Sequence, residues 1–172
     1  MSQLKYCFTC EIYKPFRSTH CHVCNNCIHG FDHHCMWLGT CIGGGNYVDF
    51  LLYIMCLQVS TLLVMALSVH QFVALLQDGP AEQETSKELT FAHFALPALS
   101  LVLLIVYGLV VVLQCFHLRL LHSNQSTYEL LRGAWKTQPN PADAGSLIEN
   151  AKCRIHKWRK SKSLIPELVL GG

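Results

Sequence analysis

Charge is scarce in this chain: Asp, Glu, Lys and Arg make up 14% of its 172 residues, hydrophobic residues make up 51%, and mean hydropathy is positive. A soluble domain carries about a quarter charged residues, so this balance argues against that class and favours a membrane protein. Neither sign dominates. Thirteen basic and eleven acidic residues leave a net charge of +2, too little to argue for nucleic acid as a partner. There is no internal repeat, Walker motif, dinucleotide fingerprint or serine nucleophile elbow, so those nucleotide-binding and hydrolytic chemistries have no motif here. Residues Met1 to Tyr6 hold no apolar run of the signal-peptide kind, and the cysteines are therefore expected in a reducing, cytosolic setting.

Cysteine is abundant. Seven of the ten cysteines fall between Cys7 and Cys41, interleaved with histidines. In a secreted chain that density would suggest a disulfide framework, but CxxC pairs beside imidazoles suit tetrahedral zinc, because the turn lets two sulfurs converge on one ion. Cys7, Cys10, Cys21, Cys24, Cys27, Cys41, His20 and His34 make eight donors, enough for two four-ligand sites. A loop-rich domain over residues 1–47, with metal in place of a large apolar core, is the expected fold. Cys35 remains over, beside His33 and Asp32. A thiol flanked by an imidazole and a carboxylate has the parts of an activated nucleophile, with His33 handling the proton and Asp32 orienting the ring. The competing reading makes Cys35 a further metal ligand and His33 a solvated surface residue.

The composition changes after Gly43-Gly44-Gly45-Asn46. Between Val48 and Gln77 the only charged residue is Asp49, and the run 48–77 is long enough to cross a bilayer with tilt. Gln58, Ser60, Thr61, Ser68 and His70 interrupt it, and polar residues in a span usually face other helices or a cavity. Residues 78–90, with four acids and one lysine, read as a loop outside the cytoplasm. A second span is expected over 91–118, closed by Arg119, with Pro97 accommodated near its start. A buried helical hairpin in a soluble protein is the alternative, but little polar chain is left to cover it. Three Lys and Arg precede the first span, one lies between the spans and nine follow the second, which puts both termini in the cytoplasm. On that side Asn124-Gln125-Ser126, a glycosylation pattern, is expected to stay unmodified.

The tail, residues 119–172, is expected to start a helix with Ser126 or Thr127 as cap and Glu129 in its first turn. From Ser146 to Lys160, Leu147, Ile148, Ala151, Ile155 and Trp158 recur at helical spacing beside Lys152, Arg154, Lys157, Arg159 and Lys160. This reads as a basic amphipathic helix on an anionic cytoplasmic leaflet, against the alternative of a solvated tail packed on the zinc domain. Cys153 is either a lipidated juxtamembrane thiol or a structural one. Cys56 and Cys115 read as packing residues of the spans.

The run CFTC-x9-HC-x2-C-x2-C-x4-DHHC-x5-C, followed by Asn46 and Phe50, resembles the cysteine-rich domain of the DHHC protein S-acyltransferases, the palmitoyltransferases. Ser126-Thr127-Tyr128-Glu129 is similar to that family's TTxE segment, and NP-x3-G-x4-N, Asn140 to Asn150, to its C-terminal motif. The resemblance is nearest to the subfamily acting on Ras-type GTPases with a small accessory subunit. Met36 stands where the family often has proline, and Ser126 where it has the first threonine of TTxE. The family usually has at least four spans, with the cysteine-rich domain between the second and third; this chain is expected to lack the first two.

The resemblance implies two structural Zn2+ ions, one on Cys7, Cys10, His20 and Cys27 and the other on Cys21, Cys24, His34 and Cys41. It implies that Cys35 is the nucleophile, that His33 activates it, that Asp32 orients His33, and that Thr127 and Glu129 support the site. The implied reaction is ping-pong transfer from a long-chain acyl-CoA, such as palmitoyl-CoA, through an acylated Cys35 to substrate cysteines near a membrane. Membrane lipids, Ras-type substrates and an accessory subunit are the implied partners, and the endoplasmic reticulum or Golgi the implied location. Two other classes stand beside it: a catalytically silent zinc-binding membrane adaptor and a RING-like ubiquitin ligase module. Nucleic acid is not an expected partner, since the metal cluster carries few basic residues.

Overall fold

The computed structural model describes residues 5–77 and 87–169. Residues 78–86 of the expected acidic loop, and the Trp158 side chain expected on the amphipathic stripe, lie outside what is described. Six short strands, β1 (Tyr6–Cys7), β2 (Ile12–Tyr13), β3 (Thr19–Cys21), β4 (Asn26–Ile28), β5 (His33–Cys35) and β6 (Thr40–Ile42), precede four helices, α1 (Tyr47–Gln77), α2 (Lys87–His122), α3 (Thr127–Arg132) and α4 (Leu147–Val169). The chain divides into two compact units, Met1–Leu51 with His117–Gly172, and Leu52–Phe116.

In the first unit the strands pair in sequence as three antiparallel hairpins, β1-β2, β3-β4 and β5-β6. Hairpins of two or three residues per strand bury little apolar surface and are marginal alone. Phe8 and Trp37 remain exposed, and buried cysteines, Cys7, Cys21, Cys35 and Cys41, account for much of the interior beside Ile42, Tyr47, Phe50, Leu120 and Leu121. Gly43 follows β6 where a side chain would not fit: a Cβ there would lie 2.8 Å from Ile28 Cγ2 and 3.0 Å from the His29 carbonyl oxygen.

Helix α3 starts where the sequence suggested. Ser126 is its N-cap, and Ser126 and Glu129 form a reciprocal capping box. Gly133 ends it at φ 62°, the left-handed conformation that glycine adopts without a Cβ penalty. Helix α4 docks by an edge the periodicity did not single out. Asn150 is fully buried and Arg154 half-buried one turn later, whereas Leu147, Ile148 and Ile155 of the expected apolar stripe are exposed. Polar partners decide which face turns in: the Asn150 amide donates to the His122 carbonyl at 2.7 Å, and its oxygen accepts from Ala144 N at 2.8 Å.

The second unit takes α1 from Leu52 onward and α2 as far as Phe116, helices of 31 and 36 residues. Each exceeds the about 20 residues needed to cross a hydrocarbon core. Their apolar side chains face outward: Leu67, Leu109 and Val112 are more than two-thirds exposed. A helical hairpin of a soluble protein would cover those surfaces, so they fit lipid. Of the polar groups in the first span, Thr61 and Ser68 are buried and Ser60 is exposed. Thr61 Oγ1 donates to the Leu57 carbonyl, and Ser68, buried, meets Ser100 across the pair at 3.0 Å. His70 is exposed. The second helix begins at Lys87 and ends at His122, longer at both ends than the expected span, because its polar ends continue the helix past the apolar run.

Candidate active site and metal centres

Strand alternation sorts the donors. In β3-β4, His20 faces Cys27 as a cross-strand pair, and the next residue, Cys21, projects to the other side of the ribbon. In β5-β6, His34 faces Cys41 in the same way, while His33 and Cys35 project oppositely to His34. The structure thereby brings together Cys7, Cys10, His20 and Cys27 in one group and Cys21, Cys24, His34 and Cys41 in another, with the donor atoms of each group within 4.8 Å of one another. Among the described residues, Cys35 belongs to neither.

Each group fits a tetrahedral ion. Bonds of about 2.3 Å to sulfur and about 2.0 Å to nitrogen put donors roughly 3.5–3.8 Å apart. Here Cys21 Sγ is 3.7 Å and Cys41 Sγ 3.5 Å from His34 Nδ1, and Cys10 Sγ and Cys27 Sγ are 3.3 and 3.9 Å from His20 Nδ1. The thiols are also uneven in acidity. The Cys10 amide pulls the Cys7 thiol below its usual range and the Cys24 amide does the same for Cys21, while burial pushes Cys27 up to about 12 and Cys41 up as well. Three crowded thiols cannot all ionise without a cation, and a divalent ion supplies the missing charge.

Beside the second group lies a chain of hydrogen bonds centred on Asp32, whose side chain is fully buried. Its Oδ2 accepts from His33 Nδ1 at 2.8 Å and from the Thr127 hydroxyl at 2.7 Å, and its Oδ1 accepts from Thr127 N at 2.9 Å. The backbone continues the clamp, with Tyr128 N donating to the Asp32 carbonyl at 3.1 Å. Burial, the largest single influence, opposes ionisation of Asp32, but the His33 and Thr127 hydrogen bonds together outweigh it and hold the carboxyl below its usual range. With Nδ1 of His33 engaged, Nε2 is the nitrogen free to exchange a proton. Cys35 is buried on the same side of the ribbon as His33.

Glu129 lies one layer out. It accepts Arg17 Nε at 2.6 Å on Oε1 and Arg17 Nη2 on Oε2, and Oε2 also takes Ser126 N at 2.9 Å, so one carboxylate closes the cap of α3 and ties it to the loop before β3. Arg17 Nη2 further reaches the Asn124 carbonyl at 2.9 Å. Asn124 itself is buried, and its amide nitrogen donates to the Ala142 carbonyl, so the nitrogen a glycan would need is already in use.

Two features were not anticipated from sequence. Nothing local links Arg17 to a residue 112 positions away. His117 is buried next to His33, ring centroids 6.0 Å apart, packed at 5.0 Å on Phe50 and hydrogen-bonded at 3.1 Å to the Tyr47 hydroxyl. A histidine inside an apolar span was the available signal for it.

The comparisons agree with this architecture. The family model described as DHHC palmitoyltransferase matches residues 1–134. The chain is 38% identical over 159 residues to Palmitoyltransferase ZDHHC9 of Homo sapiens, covering 89% of this chain and 41% of that protein. It is 38% identical over 148 residues to Probable protein S-acyltransferase 5 of Arabidopsis thaliana, covering 83% and 29%, and 36% identical over 168 residues to Palmitoyltransferase ZDHHC14 of Danio rerio, covering 86% and 33%. The chain thus spans less than half the length of these relatives. The family match runs through both candidate spans and α3, over three-quarters of the chain, and the chain belongs to the DHHC palmitoyltransferase family.

Proposed function

We propose that this chain carries the catalytic centre of a protein-cysteine S-palmitoyltransferase, with Cys35 as nucleophile. The observation that carries the reading is that Cys35 stands outside both four-donor groups while sharing a strand face with His33, whose ring is anchored by Asp32. His33 Nε2 takes the Cys35 proton, and the thiolate attacks the thioester carbonyl of a long-chain acyl-CoA. The new C–S bond forms on Cys35, the bond to CoA sulfur breaks, and the leaving thiolate recovers the proton. In the second half a substrate cysteine gives its proton to His33, its sulfur takes the acyl group, and Cys35 leaves as thiolate. Thr127 and Glu129 act at one remove, Thr127 by holding Asp32 and Glu129 by holding α3.

Two Zn2+ ions on the two donor groups are structural in this reading, since four protein donors leave no position for water. Their chemistry is confined to fixing the hairpins from which Asp32, His33 and Cys35 project. The apolar helices offer a dry environment for the acyl chain. By family resemblance, substrates are proteins with membrane-proximal cysteines, Ras-type GTPases among them, acted on with a small accessory subunit. Both termini lie in the cytoplasm, at the endoplasmic reticulum or Golgi.

Incubation of the purified chain with a labelled palmitoyl-CoA analogue tests the proposal. Hydroxylamine-sensitive label on wild type, lost in Cys35→Ser with zinc content retained, is the expected result. Thioester-linked label persisting on the Cys35→Ser cysteine-rich domain overturns it, and a wild-type chain that binds zinc but takes no label favours the silent adaptor.

A further inference from the structure

Two buried rings pack on the His33 imidazole. Phe50 meets it edge-on, with centroids 5.3 Å apart at 71°, and His117 lies tilted at 41° with centroids 6.0 Å apart. Phe50 and His117 also pack on each other at 5.0 Å. All three rings, with Tyr47, belong to the first compact unit, so the first residue of β5, the start of α1 and the end of α2 meet at His33.

The steps of acyl transfer leave His117 without a task. It is 1% exposed and stands five residues before the end of an apolar helix, where leucine or phenylalanine would cover the same surface with no polar atom to desolvate. An ionisable side chain kept inside a span is the usual mark of a functional site, to be read together with its partner. One partner here is the Tyr47 hydroxyl, 3.1 Å from His117 Nδ1. Tyr47 is itself 2% exposed, and the Arg154 guanidinium lies 4.3 Å over its ring. Rotation of an imidazole about its outer side-chain bond is only loosely restricted, and a directional hydrogen bond fixes it. His117 thus presents a ring of defined orientation to His33.

His33 needs such a neighbour. Asp32 holds it at one atom, Nδ1, at 2.8 Å, and a single hydrogen bond leaves the ring able to pivot and carry Nε2 away from Cys35. The His33 side chain is 28% exposed, so packing restrains it on part of its surface only. A second contact, made by a ring that is itself held, limits the pivot before the reaction begins.

We propose that His117 is a positioning residue for acyl transfer: its ring, oriented by the Tyr47 hydroxyl, restrains the His33 imidazole so that Nε2 stays aligned on Cys35. The proposal rests on the assignment of Cys35 and His33 to acyl transfer and adds to it a role for His117 and Tyr47.

The test is single-turnover acylation of Cys35 in the full chain, measured across palmitoyl-CoA concentrations. His117→Phe keeps a buried ring but loses the nitrogen that meets Tyr47. The saturating rate should fall about tenfold, with the half-saturating concentration within about twofold of wild type. Tyr47→Phe removes one oxygen and leaves its ring beneath Arg154, and it should slow the same step about threefold. The double variant should be no slower than His117→Phe, because both changes break one hydrogen bond. Leu120→Ala, at a buried position three residues further along α2, is the control for packing: it should lower Tm while keeping the saturating rate within about twofold. A full rate in Tyr47→Phe overturns the proposal, whether or not His117→Phe folds. A full rate in His117→Phe, a loss confined to the half-saturating concentration, additive losses in the double variant, or equal slowing by Leu120→Ala would each overturn it as well. A wild type that takes no label, or label that survives Cys35→Ser, instead removes the acyl-transfer assignment and this proposal with it.

Discussion

The hydroxyl of Thr127 donates to Asp32 Oδ2 at 2.7 Å across 95 residues of chain, and the same carboxylate oxygen accepts His33 Nδ1 at 2.8 Å. A residue after the second apolar helix thereby fixes the orientation of an imidazole in the cysteine-rich domain.

Thr127→Val removes a hydrogen bond to a buried carboxylate, and such bonds contribute about 1.5–3 kcal/mol. The expected outcome is a lower Tm and acylation of Cys35 slowed by about tenfold to a hundredfold, since His33 loses its fixed orientation. Thr127→Ser keeps the donor and should restore most of the rate. Single-turnover labelling of the two variants checks this; equal impairment in both would remove the hydrogen bond from the explanation.

Asp32 carries a pH signature. Its carboxyl is held below the ordinary 3.8, so it stabilises the folded state above that pH, and the contribution is lost as pH falls through the depressed folded value. Wild type and Asp32→Asn should therefore show a stability difference that is flat above about pH 5 and shrinks below pH 3.8. Protonation of the cysteine and histidine donors is common to both chains and cancels in the comparison. Tm measured across pH for the pair provides the readout.

Metal and nucleophile should separate cleanly. His34→Ala takes one donor from the second group, and the expected result is loss of bound zinc with unfolding of the hairpins, because so small a core depends on its ions. Cys35→Ser should retain both ions and the wild-type Tm while losing label. Zinc per chain by elemental analysis, alongside circular dichroism, decides between them.

Arg17→Ala leaves Glu129 in a setting where both side chains are nearly buried, at 12% and 10% exposure. Removing one partner of such a pair costs about 3 kcal/mol. Arg17→Lys should recover only part of that, since an ammonium cannot reproduce the two-pronged contact. Chemical denaturation of the three chains in one detergent measures the order.

Asn150→Ala should release α4. The amide holds the His122 carbonyl and the Ala144 amide at once, and its loss orphans both at a fully buried position. Faster limited proteolysis beyond residue 140, with zinc content unchanged, is the expected outcome.

How the chain folds was legible wherever the determining signal is local. CxxC and HC spacings name the donors, an apolar run names a span, and Ser126 with Glu129 three positions later names the start of α3. The docking face of α4 was not legible, because hydrophobic periodicity points to Leu147, Ile148 and Ile155 whereas the buried contacts are made by Asn150 and Arg154. Polar satisfaction, invisible to periodicity, won there.

The Asp32-His33-His34-Cys35 run divides along the same line. Sequence alone determined that an acid, two imidazoles and a thiol are adjacent, and strand alternation then separates His34 from His33 and Cys35. Only tertiary structure decided what surrounds them: Thr127 from 95 residues downstream on Asp32, Arg17 on Glu129, and His117 next to His33. Those contacts close loops of about a hundred residues, and no local spacing encodes a partner at that distance.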